Sequence, residues 1–215
     1  MIPIRDVIPS RTTPLITVLF ILINTVVFLY QQTLSEPELL RFVFTYALVP
    51  AAFHLQAVLT SMFMHGDWMH FLGNMLFLWI FGDNVEDRVG HLRFISFYVL
   101  CGAAAALAQV WISPASRIPM VGASGAIAGV MGAYFVMFPH SRVLTLIPIL
   151  FYVELVEIPA IFFLGFWFLL QFLYGVGSLS VATTQDVGGV AFWAHVAGFV
   201  TGVMGIFVFR RPERQ

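Results

Sequence analysis

The chain has 215 residues, of which 60% are hydrophobic and 10% are charged, whereas a soluble domain averages about 25% charged residues. Apolar runs of about 20 residues, the length that crosses a bilayer, recur along it. The composition therefore excludes an ordinary soluble protein and predicts an integral membrane protein, folded as one domain over residues 1–215. The net charge of −1 gives no reason to expect a nucleic-acid partner.

Six apolar segments lie between polar tails at residues 1–13 and 210–215, and they predict an all-α, polytopic bundle of six transmembrane helices. The segments cover residues 14–30, 68–81, 94–112, 124–138, 161–174 (the core of a longer run, 144–175) and 190–209. The charged segment 82–90 predicts a turn, and the polar segment 177–189 predicts a loop. The long connection 31–66 carries aromatic residues without clear periodicity, so we expect part of it to lie in the membrane interface.

The ten basic residues are all arginines, and their distribution predicts the orientation of the chain. Six spans place both termini on one side of the membrane. Only Arg41 and Arg117 fall on the opposite side. Eight arginines lie on the side of the termini: Arg5, Arg11, Arg88, Arg93, Arg142, Arg210, Arg211 and Arg214. Cytoplasmic loops of membrane proteins are enriched in basic residues, so both termini are expected to be cytoplasmic.

Ser124 lies between Gly122 and Gly125 at the start of the fourth span, after a loop-like segment at residues 113–119. The first turn of a helix presents unpaired backbone N–H groups and the positive end of the helix dipole. That position suits a nucleophile beside a pocket that stabilises an anion. Small residues in an apolar helix also serve close helix packing, so this stretch alone leaves both interpretations open.

His195 lies near the start of the sixth span, and Gly198 and Gly202 share its helix face at i+3 and i+7. The fourth span carries glycines at a similar spacing, and two small faces allow helices to approach closely. Packing through these faces would bring the imidazole within reach of Ser124, as its base. A histidine bonded to a backbone carbonyl is the alternative. No carboxylate in the second half of the chain lies at a matching depth, so we predict a serine–histidine dyad.

His70 and Asn74 stand four residues apart and share one face of the second span, on the same side of the membrane as Ser124 and His195. Both can donate hydrogen bonds to an oxyanion, together with the backbone N–H of Ser124. Hydrogen bonding between helices is the alternative. His65 lies one turn earlier, and we expect it to be structural rather than catalytic. Polar groups at membrane depth are costly, so each of these residues is a functional candidate.

Other chemistries fit the sequence poorly. The H-E-x-x-H motif of a zinc protease is missing and the six histidines are scattered, so we expect no metal and no cofactor. Asp83 and Asp87 stand in the predicted turn rather than in two separate spans, which argues against an intramembrane aspartyl protease. The sequence carries neither an inverted repeat nor a pair of broken helices, the usual signs of a transporter.

Three features together resemble the signatures of the rhomboid intramembrane serine proteases. They are the stretch 122–125, His195 with the two glycines that follow it, and the trio His65, His70 and Asn74. The resemblance extends from about residue 46 to residue 209. Each motif alone is weak, but their combination in six predicted spans is specific to this family.

The resemblance implies that Ser124 is the nucleophile and that His195 is the general base. It implies an oxyanion site at His70, Asn74 and Gly122. It gives supporting roles to His65, Gly125, Gly198 and Gly202.

The same resemblance implies the substrates and the setting. Substrates would be membrane proteins, cut in or beside a transmembrane segment near the extracytoplasmic face, through a cavity that opens to water on that side. The connection 31–66 would be a membrane-embedded loop, and the fifth span, with Trp167 and Phe166, a lateral gate. The compact form is similar to the bacterial type, which implies the cell (inner) membrane. The oligomeric state stays open, and a non-catalytic rhomboid-like protein that binds transmembrane segments is the alternative function.

Two positions depart from the pattern that some rhomboids show. Ala128 stands where some members carry a tyrosine that stacks on the histidine, so another group must orient His195. Trp193 and Phe135 are candidates for that group. Gly73 stands where some members carry a bulky aromatic residue that forms part of the gate.

Overall fold

The computed structural model describes residues 1–149, 152–181 and 191–210. Within these ranges the chain forms eight α-helices, two short 3₁₀ turns (Pro50–Ala52 and Ser61–Phe63) and one three-stranded sheet. The helices are α1 (Leu15–Thr33), α2 (Glu36–Tyr46), α3 (Leu55–Thr60), α4 (Trp68–Val89), α5 (His91–Ile112), α6 (Ser124–Met137), α7 (Ala160–Val181) and α8 (Phe192–Phe209). The strands are β1 (Ile2–Asp6), β2 (Arg142–Ile149) and β3 (Tyr152–Pro159).

Four helices are long and apolar enough to cross a membrane: Leu15–Thr33, His91–Ile112, Ala160–Ser178 and Phe192–Phe209. The helix α6 is apolar but has 14 residues. The helix α4 has 22 residues, and His70, Asn74 and a charged C-terminal end make it more polar. These six helices occupy the six predicted segments, so the predicted all-α, polytopic membrane fold is confirmed.

The bundle has two distinct ends. At the site end lie the first turns of α4, α6 and α8, where Ser124 of α6 contacts His195 of α8. At the sheet end lie the sheet, the start of α1 and the last turns of α4 and α6. There, the hydroxyl of Tyr134, near the end of α6, donates to the Asp6 carboxylate of β1 at 2.6 Å.

The prediction of a turn at residues 82–90 is wrong, because α4 continues to Val89. Its charged side chains hold the start of α1. The buried Glu86 carboxylate accepts hydrogen bonds from the backbone N–H groups of Ile16 and Thr17 at 2.9 and 2.8 Å. It thereby caps a helix whose own N-cap residue is a proline. The helix α4 ends at Gly90, whose φ of 87° is a conformation that glycine adopts readily.

The run 144–175, predicted to contain the fifth span, is helical only in its second half. Its first half belongs to the hairpin of β2 and β3, and β1 pairs antiparallel with β2, giving the order β1-β2-β3. The β-branched residues of this half favour strands. The helix α7 contains the predicted core 161–174 and continues into the start of the predicted loop 177–189; residues 182–189 lie outside the described ranges.

The connection between α1 and α4 is folded, with α2, α3 and both 3₁₀ turns inside it. Leu48 and Met120 exchange backbone hydrogen bonds in both directions, at 3.0 and 2.8 Å. The backbone N–H of Gly122 donates to the carbonyl of Ser61 at 2.9 Å. The connection therefore holds in place the segment that leads into α6.

The helix α6 lies in the middle of the bundle, and α8 packs closely against it through glycines. A Cβ atom on Gly198 would lie 2.1 Å from the carbonyl oxygen of Gly125. A Cβ atom on Gly202 would lie 1.9 Å from the carbonyl oxygen of Gly129. Both distances are far shorter than van der Waals contact, so only glycine fits. The predicted packing of the fourth and sixth spans through their small faces is confirmed.

Candidate active site

Ser124 and His195 contact each other at the site end of the bundle. Ser124 is the first residue of α6, and His195 lies in the first turn of α8. The Oγ of Ser124 and the Nε2 of His195 are 2.7 Å apart. A serine hydroxyl that donates to a neutral imidazole is the arrangement that activates a weak nucleophile. The structure thus brings together the two residues that the sequence pairs.

The second nitrogen of the His195 ring contacts a residue that sequence reasoning missed. Its Nδ1 lies 2.7 Å from the Oε1 of Gln171 on α7. The indole of Trp167, one turn earlier on α7, lies beside the imidazole, with ring centroids 5.8 Å apart. A signal is present in the sequence, because Gln171 is a polar side chain within an apolar span, and such residues are functional candidates.

The two residues suggested as substitutes for the missing tyrosine contact other groups. The Nε1–H of Trp193 donates to the carbonyl of Gly175 at 3.1 Å. The ring of Phe135 packs on Phe199, with centroids 5.7 Å apart. The hydrogen-bond partner of His195 on its Nδ1 side therefore comes from α7, and neither suggested residue supplies it.

Gly122 has a backbone conformation that favours glycine, two residues before Ser124. Its φ is 126°, in the region that other residues rarely adopt. A Cβ atom at this position would lie 2.6 Å from the Nε2 of His70 and 3.6 Å from the Nδ2 of Asn74. The missing side chain thus leaves room for two polar side chains to approach the backbone beside Ser124.

His70 and Asn74 line the same cavity as Ser124. The carboxylate of Asp67, the N-cap of α4, accepts a hydrogen bond from the backbone N–H of His70 at 2.9 Å, which fixes the first turn of the helix. The Nδ2 of Asn74 is buried and donates no hydrogen bond within the described part of the chain. A buried donor without an acceptor is costly. An oxygen atom of a bound molecule would satisfy it.

His65 is 1% exposed and is not among the residues that line the cavity. The side-chain amide of Gln31 makes two hydrogen bonds to the His65 backbone, each of 3.1 Å. Its oxygen accepts from the His65 N–H, and its nitrogen donates to the His65 carbonyl. The His65 ring lies edge-on to the His70 ring, with centroids 5.2 Å apart. These contacts favour the predicted structural role, in which His65 supports His70.

Gly125, Gly198 and Gly202 set the distances between the helices that carry the site. A Cβ atom on Gly125 would lie 2.6 Å from the Cβ of Ala105 on α5. Gly198 and Gly202 have no side chains, so the backbone of α6 packs directly against α8 at these positions. Their contribution to the site is therefore close packing, through which Ser124 and His195 reach hydrogen-bond distance.

A cavity of about 570 Å³ lies in front of these groups, lined by α4, α5, α6, α7, the start of α8 and the 3₁₀ turn Ser61–Phe63. Apolar side chains form much of its wall, and the polar groups of His70, Asn74, Ser124 and His195 converge within it. Gly73 also lines it, and no atom lies within 4 Å of where its Cβ would be. The absence of an aromatic side chain at this position therefore leaves open space in the wall.

The two aromatic residues of the predicted gate differ in environment. Trp167 lines the cavity. Phe166 is 47% exposed on the surface of α7. Of the pair, only Trp167 can contact a molecule bound beside His195.

The groups around Ser124 suit acyl transfer. A hydroxyl contacts a base, and donors from α4 lie beside the helix N-terminus, where an oxyanion would form. Among the residues that the structure describes, no three His, Cys, Asp or Glu side chains are grouped closely enough to hold a metal ion.

Comparison with known proteins identifies the family. A family model described as "Rhomboid domain" matches residues 52–212. "Rhomboid protein 1, mitochondrial" of Saccharomyces cerevisiae is 29% identical over 164 residues, which cover 74% of this chain and 43% of that protein. "Rhomboid-like protein 11, chloroplastic" of Arabidopsis thaliana is 37% identical over 70 residues, covering 33% of this chain and 25% of that protein.

A third relative is named as a protease. "Rhomboid protease GluP" of Bacillus subtilis is 38% identical over 76 residues, covering 35% of this chain and 14% of that protein. The chain matches less than half the length of each of these three relatives. Because the family model covers most of the chain, the chain belongs to the rhomboid family.

Proposed function

We propose that the protein is an intramembrane serine endopeptidase that cleaves transmembrane segments of membrane proteins with a dyad of Ser124 and His195. The observation that carries the proposal is the 2.7 Å contact between Ser124 Oγ and His195 Nε2 inside the cavity. Membership of a family that includes a relative named as a protease supports it. His70, Asn74 and the backbone N–H of Ser124 supply the donors of the proposed oxyanion site, and Gly122 leaves room for the two side chains.

The first half of the reaction is acylation. The Oγ of Ser124 bonds to the scissile carbonyl carbon while its proton moves to the Nε2 of His195. The oxyanion accepts hydrogen bonds from the backbone N–H of Ser124, the His70 ring and the Nδ2 of Asn74. The carbon–nitrogen bond then breaks, and His195 gives its proton to the leaving nitrogen.

The second half is hydrolysis of the acyl-enzyme. A water molecule gives a proton to the Nε2 of His195 as its oxygen bonds to the acyl carbon. The bond to the Oγ of Ser124 breaks, and the serine takes the proton back from His195. The substrate leaves as two peptides, and both residues return to their starting protonation states.

The orientation is part of the same proposal. Arg5 is in β1 and Arg88 is near the end of α4, so both lie at the sheet end of the bundle. The bias of arginines toward the cytoplasm favours a cytoplasmic sheet end, with both termini on that side. The cavity at the site end then opens toward the extracytoplasmic side of the cell (inner) membrane, and residues 1–215 act as one domain. Cleavage of transmembrane segments near that face follows.

A serine-directed fluorophosphonate probe tests the proposal. The folded, full-length protein in detergent should take up the probe at Ser124, and Ser124→Ala should abolish the uptake. Ser113→Ala is the matched control, because Ser113 lies at the C-cap of α5, outside the cavity lining, and its loss should leave labelling unchanged. Absence of labelling in the folded wild-type protein, beside an active serine hydrolase that labels, would favour a non-catalytic protein that binds transmembrane segments.

A further inference from the structure

We infer that Gln171 is a positioning residue for His195, because its side-chain oxygen fixes the tautomer and the orientation of the imidazole. The inference rests on the proposed function, in which His195 is the base. It assigns to α7 a part in preparing the base, in addition to forming a wall of the cavity.

The imidazole of His195 has a hydrogen-bond partner at each nitrogen. Its Nδ1 lies 2.7 Å from the Oε1 of Gln171, and its Nε2 lies 2.7 Å from the Oγ of Ser124. An amide oxygen can only accept a hydrogen bond, so Nδ1 carries the ring hydrogen and donates it to Gln171. A neutral imidazole has one ring hydrogen. Its Nε2 therefore presents a lone pair to Ser124.

This tautomer is the one that a base for Ser124 requires. With the hydrogen on Nε2 instead, the ring would donate to the serine oxygen and have no lone pair there to accept the hydroxyl proton. When the proton arrives during acylation, the donor at Nδ1 becomes cationic, and its hydrogen bond to Gln171 strengthens. The amide oxygen of Gln171 can thus act as the acceptor for Nδ1–H that a carboxylate would otherwise provide, although it contributes no negative charge.

The position of Gln171 is fixed by the packing of α7 on α8. Trp167, four residues earlier, lies beside the His195 ring. Gly175, four residues later, accepts a hydrogen bond from Trp193 of α8 at 3.1 Å. These three residues of α7 share one helix face, so the contacts on either side of Gln171 hold its amide against Nδ1.

The kinetic test compares Gln171→Leu with Gln171→Glu in the full-length protein. Leucine keeps most of the bulk and removes the acceptor, whereas glutamate keeps an acceptor oxygen at the same reach. Because one hydrogen bond is lost, we expect Gln171→Leu to lower kcat about 10–100-fold with KM changed less than about twofold. We expect Gln171→Glu to recover about tenfold or more of that loss.

Gln109→Leu is the matched control, since Gln109 lies on α5 outside the cavity lining, and its kcat should equal that of the wild type. A Gln171→Leu variant that keeps the wild-type kcat overturns the inference. A variant that raises only KM does so as well, because it assigns Gln171 to substrate binding.

A spectroscopic test decides the question even if Gln171→Leu fails to fold. In protein labelled with ¹⁵N-histidine, the ring signals of His195 are those lost in His195→Gln. We expect a protonated Nδ1 and an unprotonated Nε2 in the wild type and in Gln171→Glu, and a mixture of tautomers in folded Gln171→Leu. An unprotonated Nδ1 in neutral wild-type His195 overturns the inference.

Failure of this inference differs from failure of the proposed function. A folded wild-type protein that neither takes up the fluorophosphonate nor cleaves a transmembrane substrate contradicts the proposed protease. An active wild type together with an unimpaired Gln171→Leu contradicts the role of Gln171 alone.

Discussion

The Oγ of Ser124 lies 2.7 Å from the Nε2 of His195, although 71 positions separate the two residues along the chain. No turn or short loop brings them together. The contact depends on two helices whose backbones approach at Gly198 and Gly202. The contact between Ser124 and His195 therefore depends on the close packing at Gly198 and Gly202 and on the hydrogen bonds that hold the neighbouring elements. Substitutions can test each of these two contributions.

Gly202→Ala should destabilise the protein and reduce labelling of Ser124. The new Cβ would lie 1.9 Å from a backbone oxygen that cannot rotate away, so the helices must separate. We expect a loss of about 1–3 kcal/mol or more in the free energy of unfolding, the range for overpacking. Thermal unfolding in detergent, followed by circular dichroism, measures it.

Gly177→Ala is the control for that substitution. Gly177 also lies in a helix, but no atom lies within 4 Å of where its Cβ would be. Alanine favours helices more than glycine does, so the melting temperature should stay or rise. Equal destabilisation by both substitutions would contradict the steric explanation for Gly202.

Asn74→Ala should lower the rate of substrate cleavage and leave folding intact. The Nδ2 of Asn74 is a buried donor with no acceptor among the described residues. Removing this nitrogen therefore breaks no hydrogen bond that Nδ2 makes in the folded protein. If it serves the oxyanion, kcat should fall roughly 10²–10³-fold, as for other single donors of this kind. Steady-state cleavage of a transmembrane substrate measures the change.

The control is Asn24→Ala on α1, where the amide donates to the carbonyl of Phe20 within its own helix. Its kcat should match that of the wild type. An unchanged rate in Asn74→Ala would instead remove this residue from the oxyanion site.

Glu86→Ala should destabilise the protein strongly. The buried carboxylate accepts hydrogen bonds from the backbone N–H groups of Ile16 and Thr17 and from the Thr17 hydroxyl. Its removal leaves those donors unpaired, and each buried group without a partner costs about 1–3 kcal/mol. Unfolding in detergent should show a lower melting temperature. Glu154→Ala, on an exposed position of β3, should show little change, and a similar loss in both variants would rule out the capping role.

Asp6→Asn should change how stability depends on pH. Burial raises the pKa of the Asp6 carboxyl from 3.8 to about 6, nearby Asp83 adds to the rise, and the hydrogen bond from Tyr134 opposes it. The folded protein therefore holds this proton more tightly than the unfolded chain does. The resulting stabilisation is fully present below pH 3.8 and is lost as the pH rises through about 6.

The measurement is the melting temperature of the wild type and of Asp6→Asn across that pH interval. The asparagine keeps an acceptor and cannot ionise, so its advantage over the wild type should grow as the pH rises and level off above about 6. A constant difference between the two proteins would show that Asp6 does not titrate in this interval.

The helices of the bundle and most of the candidate site follow from local patterns in the sequence. Ser124 begins a helix as its flanking residues indicate, and the glycine spacing predicts the approach of α8. His70 and Asn74 share a helix face, and they line the same cavity as Ser124 and His195. These features depend on helical periodicity and on residue size, which can be read from a short stretch of chain.

Features that depend on distant partners could not be read in this way. Residues 142–149 pair with β1, which lies near the start of the chain, and an apolar strand differs little from an apolar span until its partner is known. The charges at the end of α4 similarly acquire a structural role only beside Ile16 and Thr17. Gln171 is the intermediate case: its polarity marks it as a candidate, but its contact with His195 depends on how two helices pack.

The approach of Gly198 and Gly202 to α6 also limits how the molecule can move. A carbonyl oxygen fits against each glycine, so rotating or sliding either helix would press backbone atoms together or open a gap. Ser124 and His195 therefore lie on two helices, α6 and α8, that move together as one rigid body. Under the proposed function, displacements that admit a transmembrane segment to the cavity must come from its other walls, while the distance between Ser124 and His195 is kept.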